Sequence, residues 1–293
     1  MQSEPTVRLM AVVVVYCRNL DEVAGWPALR QSLRQSADGA APLLDRILIY
    51  DNSPLPTAVP QGVPANCHYI HDARNGGTVA AYGSAAVMAG EYGCEWLLLL
   101  DQDTQLPPDF LGIAHAQLRA TGRDPTLAAW VPWIHHGARA VPVSPARLTS
   151  LGSVRPLRRE GLQTALPTLT AISSGAIVRA DVLRGLLPFP KGLWLAYVDH
   201  WIFFRLSRSG LRVRVLECHL QHDLSVASPG KLSARRLLSI LEGEALFHRM
   251  LGSGARLVYP IRLIWRLLRL TTVNPVLALH GLRWAVLWRG SPR

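Results

Sequence analysis

The stretch Trp96-Leu97-Leu98-Leu99-Leu100-Asp101-Gln102-Asp103-Thr104 decides how this chain folds. Five apolar residues, enough for a buried strand, stop abruptly at two carboxylates spaced i, i+2. Strands of a parallel sheet are covered on both faces and read as unbroken apolar runs. Open α/β sheets bind their ligands beyond the carboxyl ends of such strands. Two acids on a tight loop there are placed to hold a divalent cation, which favours hard oxygen ligands.

The residues before this stretch supply the rest of such a sheet. Met10 to Tyr16, Arg46 to Tyr50, Cys67 to Ile70 and Glu95 to Leu100 read as strands. Trp26 to Gln35 and the Ala-rich Thr78 to Tyr92 read as helices. Strands alternating with helices imply βαβ units and a mainly parallel sheet flanked by helices, an α/β fold. Each strand ends in polar or Gly-rich residues, as a ligand-binding edge requires. The middle of the chain, Pro107 to Pro167, is rich in Pro, Gly and Arg, and predicts loops, short helices and an edge strand. Regular signals return at Leu169 to Val178, in a helix over Trp194 to Ser209, and in a strand over Arg212 to Leu216.

From Leu232 onward the character changes to helices with basic faces. Arg262, Arg266 and Arg269 fall at i, i+4, i+7, with Ile261, Ile264, Trp265 and Leu268 opposite, which makes a basic amphipathic helix. No acid follows Glu244, whereas eight arginines do, so the tail supplies +8 of the net charge of +11. The remainder is near neutral, which argues against a nucleic-acid-binding main domain. Arg interleaved with Trp265, Trp284 and Trp288 suits a headgroup layer and predicts contact with an anionic membrane surface. The alternative is a solvated helical face packed on the main domain. The organisation predicted is a domain over residues 1–228 and a helical, membrane-associating segment over 229–293.

The four cysteines show no CxxC pair and read as free thiols. The early apolar run is short, follows Glu4 and carries valines, so it reads as a strand rather than a secretory signal. No segment reaches the roughly 18 apolar residues of a transmembrane helix. A cytoplasmic protein, peripheral at the inner face of the membrane, is expected.

Further polar groups fall in order after the strands: Asp51 after the second, Arg74-Asn75-Gly76-Gly77 after the third, and Asp101-Gln102-Asp103 after the fourth. Ser173-Ser174-Gly175, Tyr197-Val198-Asp199-His200-Trp201 with Arg205, and His222-Asp223-Leu224-Ser225 follow. Over about residues 7–228 this set resembles the family 2 glycosyltransferases of the GT-A (Rossmann-like) fold, in the branch that includes bacterial rhamnosyltransferases. The Asp-Gln-Asp-Thr and Tyr-Val-Asp-His-Trp elements are its most specific parts. The resemblance implies that Asp51 contacts the base of a nucleotide sugar and that Arg74 meets the nucleotide or pyrophosphate. It places Asn75, Gly77, Ser174 and Gly175 on the donor side, with Asp101 near both ribose and metal. Asp103 becomes the ligand of Mg²⁺ or Mn²⁺, His222 completes the metal or diphosphate site, and Asp199 is the general base on the acceptor hydroxyl. The partners implied are a nucleoside-diphosphate sugar and a lipid-linked or polysaccharide acceptor, with rhamnose as the first candidate sugar and inversion at the anomeric carbon. Ala196 departs from the pattern, since many relatives carry an acid or Asn there. So does Tyr82-Gly83-Ser84, where relatives often have Asn-x-Gly.

Plainer readings stand beside these. Asp101 and Asp103 could be a solvated turn, Asp51 an Asx-type turn, and Asn75-Gly76-Gly77 a turn requiring positive φ. Asp199 could be a cap or first-turn acid, and His222 a satisfied histidine at a strand end. His135-His136 looks like a metal pair but lies in a Pro-rich stretch without acids and reads as solvated loop. Ser174 lacks the elbow of a nucleophile, and no P-loop occurs. Two other functions compete. A nucleotide-sugar-forming nucleotidyltransferase would need a Gly-rich loop after the first strand, where Cys17-Arg18-Asn19-Leu20-Asp21 has none. A non-catalytic basic membrane-binding module would depend on the tail alone.

Overall fold

A computed structural model describes residues 7–34, 43–57, 63–122, 124–137, 141–157, 169–222 and 232–288. Asp223, Leu224, Ser225, Arg289 and Arg293, and the side chain of Trp288, lie outside the described residues.

The apolar runs form strands β1 (Leu9–Val15), β2 (Arg46–Asp51), β3 (Cys67–His71) and β4 (Trp96–Asp101). Helix α1 (Trp26–Arg34) joins the first two, and α2 (Gly77–Glu91) joins the last two. All pair in parallel in the order β3-β2-β1-β4. Alternation within each strand sorts residues to two cores. Met10, Val12, Leu48, Leu97 and Leu99 face α2, whereas Leu9, Ala11, Ile47, Leu98 and Leu100 face α1. Register sets the functional edge: Val14 lies opposite Asp101 and Val15 opposite Asp51, so the two acids end strands on either side of β1.

Beyond β4 come the two-residue β5 (Thr104–Gln105), the 12-residue helix α3 (Phe110–Thr121) and the nine-residue β6 (Leu127–His135). Of the loops, short helices and edge strand expected here, the strand is corrected, because β6 is buried nearly throughout and sits between two other strands. Pro132 conceals it in the sequence, since proline in a central strand removes a ladder bond. The missing N–H is tolerated because the pairing shifts register there: Val131 meets Val215, and the ladder resumes only at Trp133 with His219. The pair His135-His136 accordingly begins at a strand end, with His135 Nε2 2.9 Å from His219 Nδ1.

Short strands β7 (Ala146–Leu148), β8 (Val154–Pro156) and β9 (Leu169–Thr170) make a small antiparallel sheet. Strand β10 (Ala176–Arg179) inserts antiparallel between β4 and β6, and helix α4 (Ala180–Gly185) follows it. Helix α5 (Val198–Arg208) starts later than the pattern predicts. Strand β11 (Arg212–His222) runs six residues longer than predicted, with Leu216, Cys218, Leu220 and His222 buried and their neighbours exposed. The main sheet thus has eight strands in the order β3-β2-β1-β4-β10-β6-β11-β5, curled, mostly parallel and flanked by helices, a GT-A-like α/β fold.

Helices α6 (Ala234–Leu251), α7 (Ser253–Thr271) and α8 (Pro275–Trp288) complete the chain. They share a small core of their own, built on Leu237, Leu241, Tyr259, Leu263, Leu267 and Leu277. No described helix is long and apolar enough to cross a membrane. Cys17, Cys67, Cys94 and Cys218 are free thiols, the last two buried.

Candidate active site

The carboxyl end of the sheet opens into a cavity of about 620 Å³. Asp101, the last residue of β4, and Gln102 and Asp103 after it form one rim. Two bonds fix this tight loop: the amide of Tyr16 donates to Gln102 Oε1 (2.7 Å), and that of Ala24 donates to the Gln102 carbonyl (3.0 Å). His222 arrives from the far end of the chain because β11 pairs antiparallel with β5, setting His222 opposite Thr104. Its Nδ1 lies 3.6 Å from Asp103 Oδ1. One ligand atom from each of Asp101, Asp103 and His222 falls within 4.8 Å of the others. Burial drives the Asp103 carboxyl above its ordinary range, with His222 opposing this and the like charge of Asp101 adding to it. Two carboxylates and an imidazole crowded together suit a divalent cation, whose charge would relieve that crowding.

Ser174, fully buried, donates from its hydroxyl to Asp101 Oδ2 (2.6 Å) and so aims that acid. Gly175 adopts φ +78°, and a Cβ there would overlap Leu220. Neither residue lines the cavity. Their neighbour Ser173 does, and it accepts a bond from the buried Tyr82 hydroxyl (2.9 Å).

The donor-side candidates divide in the same way. Asn75 lines the cavity in a left-handed conformation (φ +56°), and its carbonyl accepts from Trp194 Nε1 (2.6 Å). Gly77, also left-handed, gives its amide to Asn52 Oδ1 (3.0 Å), and a Cβ there would overlap the Trp194 carbonyl and ring. Arg74 points outward, 93% exposed, with Nε 3.3 Å from Asp72. Asp72 organises the turn by accepting from the Arg74 and Gly76 amides and the Tyr50 hydroxyl. Burial and Asp72 together push the Tyr50 phenol up to about 12.

Asp51 is fully buried, outside the cavity lining, and accepts four bonds: from the amides of Ser53 and Thr57, the Thr57 hydroxyl, and the Tyr69 hydroxyl at 2.5 Å. Burial works against its ionisation, but these donors prevail and hold its pKa at about 2. The bond to the Ser53 amide is the Asx turn, and it presents Asn52 to the cavity.

Trp194 to His200 form a second wall of the cavity and include Asp199. Asp199 lies in the first turn of α5, and its Oδ1 accepts from the His200 amide (2.7 Å). The helix starts late because Tyr197, a bulky residue, takes φ +64°, which costs on the order of 1–3 kcal/mol and persists only where the surroundings impose it. Two elements do so. On one side, the α2 N-terminus grips the loop: the Val79 amide and Thr78 hydroxyl both donate to the Trp194 carbonyl at 3.3 Å. On the other, α6 lies so close that a Cβ on Gly243 would meet the Ala196 carbonyl at 2.7 Å. The buried Tyr197 phenol is raised well above its usual range, by burial and then by Glu244, with which it hydrogen-bonds. Glu244 in turn pairs with Arg266 of α7. Phe204 of α5 packs edge-on against Phe247 of α6 (5.8 Å).

The C-terminal helices therefore belong to the cavity. Ser233, Arg235, Arg236, Ser239 and Ile240 at the start of α6, and Arg266 of α7, all line it. Arg235 stacks over the Trp194 ring at 4.6 Å. The sequence pattern predicts membrane contact or a face packed on the main domain for this segment, and its part in the cavity lining goes unread. The one available signal was Gly243, a helix-interior glycine whose absent side chain lets backbones approach.

No family profile and no curated protein matches the sequence. Among solved structures, Staphylococcus aureus TarS is 18% identical over 86% of this chain and 44% of that one, with a TM-score of 0.47. A structure of TarS 1-349 is 15% identical over 92% of this chain and 82% of that one (TM-score 0.46). TarS 1-349 in complex with UDP-GlcNAc is 16% identical over 83% and 66% (TM-score 0.48). This chain spans less than half the length of the longer TarS chain.

Proposed function

We propose that the protein is a metal-dependent, inverting glycosyltransferase that moves a sugar from a nucleoside-diphosphate donor to a hydroxyl. The observation that carries this reading is the acid–acid–histidine cluster at the sheet edge sharing one cavity with Asp199. Asp103, Asp101 and His222 would hold Mg²⁺ or Mn²⁺, which supplies charge neutralisation on a departing diphosphate. Ser174 keeps Asp101 aimed at that position. Asn52, Asn75 and Thr78 offer the nucleotide a polar wall, while Asp51 and Asp72 shape the turns that carry them.

Asp199 takes the proton of the acceptor hydroxyl as the new bond forms, a contribution of typically 10²–10⁴-fold. Attack on the face of the anomeric carbon away from the departing diphosphate inverts that carbon. Arg235, Arg236 and Arg266 line the same cavity and favour anionic substrates. Residues 1–228 carry the metal-binding and base residues, and 229–293, which also wall the cavity, associate with the membrane. The acceptor is lipid-linked or a polysaccharide, met at the inner membrane face, and a deoxysugar such as rhamnose is the first donor to try. A nucleotidyltransferase is disfavoured because residues after β1 form a 3₁₀ turn, Leu20–Glu22, rather than a Gly-rich loop.

The test is a panel of nucleotide sugars screened by thermal shift with and without Mn²⁺. A donor that raises the melting temperature only with the metal is expected. Stabilisation by no nucleotide sugar, or equally without metal, would overturn the reading.

A further inference from the structure

Helix α7 has two faces of opposite kind. Tyr259, Leu263, Leu267 and Leu270 are buried in the C-terminal core. Leu257, Ile261, Ile264, Trp265 and Leu268 follow the i, i+4, i+7, i+8, i+11 spacing of a single stripe, and all are exposed, between 44% and 73%. One exposed leucine needs no explanation, but a contiguous stripe over three turns marks an interaction surface. Val276, Leu279, Val286 and Leu287 of α8 are exposed as well.

The basic residues do not form the face that the sequence pattern predicts. Arg262 donates to the Leu151 carbonyl (2.8 Å), and Arg266 pairs with Glu244. Arg256 and Arg269 on α7, and Arg283 on α8, are exposed cations.

The charge pattern selects the occupant. A second copy of this chain would bring like cations together across a two-fold axis, and no acid follows Glu244 to offset them. An anionic bilayer satisfies both features, because its headgroups take the cations and its acyl layer takes the stripe.

We propose that α7 docks the protein on an anionic lipid bilayer by inserting Leu257, Ile261, Ile264, Trp265 and Leu268 beneath the headgroups. Arg266, next to Trp265 in sequence, lines the cavity, so the helix that enters the lipid also walls the site. Docking thereby sets the cavity at headgroup level, where the hydroxyl of a lipid-linked acceptor lies. This last step deepens the transferase reading and rests on it; the docking surface itself does not.

Full-length protein is sedimented with phosphatidylcholine vesicles with and without phosphatidylglycerol, beside an Ile261→Ser/Ile264→Ser/Leu268→Ser variant. The native protein should bind the anionic vesicles, retain part of that binding in high salt, and show Trp265 emission quenched by lipids brominated in the acyl chain, with Trp265→Phe as the blank. The serine variant should keep its melting temperature and bind at least tenfold more weakly. Undiminished binding by the folded variant, or absence of acyl-chain quenching in the native protein, would overturn the proposal. So would a native dimer that the serine substitutions dissociate. A native protein that binds vesicles but is stabilised by no nucleotide sugar would sink the transferase reading and leave docking standing.

Discussion

The acidic rim and the helical wall face one cavity, yet they are made by different means. At the rim, backbone register does the placing: β1 sets Asp51 and Asp101 one strand apart, and the β5–β11 pair delivers His222 to Asp103. At the wall, contacts from neighbouring helices do it. The Asp199 loop is held in a strained shape between the α2 N-terminus and α6, through Tyr197, Glu244 and Arg266. A wall kept in place by a few polar contacts can be altered one residue at a time. A rim built into the sheet cannot, and only its chemistry is open to substitution.

Four experiments sharpen or break that contrast. The largest effect belongs to Asp103→Ala, which should abolish Mn²⁺-dependent donor binding while leaving the fold intact. Calorimetry that finds native affinity would detach the rim from the donor. Asp199→Asn should leave donor binding unchanged and lower transfer by about 10²–10⁴-fold. Near-native turnover would take the wall out of the chemistry.

Asp51 offers a pH test of the rim's supporting loop. Its folded pKa of about 2 lies below the ordinary 3.8. A depressed carboxylate stabilises the fold fully above the unfolded value, and that contribution fades as pH falls through the folded one. The displacement corresponds to about 2 kcal/mol. Denaturant titrations should therefore show Asp51→Asn less stable than the native chain above about pH 4, with the gap closing toward about pH 2. A gap independent of pH would mean that packing, not charge, matters there.

The smallest effect is expected from Glu244→Gln. Its pair with Arg266 is partly exposed, so the stability loss should fall near 1–2 kcal/mol, between exposed and buried pairs. Turnover should drop while the donor-induced thermal shift stays native. Loss of donor binding instead would join the two walls into one unit.

The legible parts share a physical character. Apolar runs bounded by Asp, Asn and Gly marked β1 to β4, because a strand covered on both faces leaves a local trace. Asp101, Asp103, Asp199 and His222 were legible as candidates for the same reason: each sits where a regular element begins or ends. Strand β6 was hidden by Pro132, whose tolerance depends on a register shift against β11, and a partner strand's register is not written locally. The late start of α5 was hidden because the left-handed Tyr197 is imposed by Gly243 and Glu244, more than 40 residues away.

The sequence by itself determined the parallel strands, the acids at their ends and a cationic C-terminus, since burial on two faces and charge content are local properties. Only the tertiary structure decided that Arg74 points outward and that Asp51 is enclosed by its own loop. It also decided that α6 and α7 wall the cavity while α7 shows an apolar stripe to solvent. Which face of a helix packs inward depends on what lies beside it, and distant segments supply that neighbour.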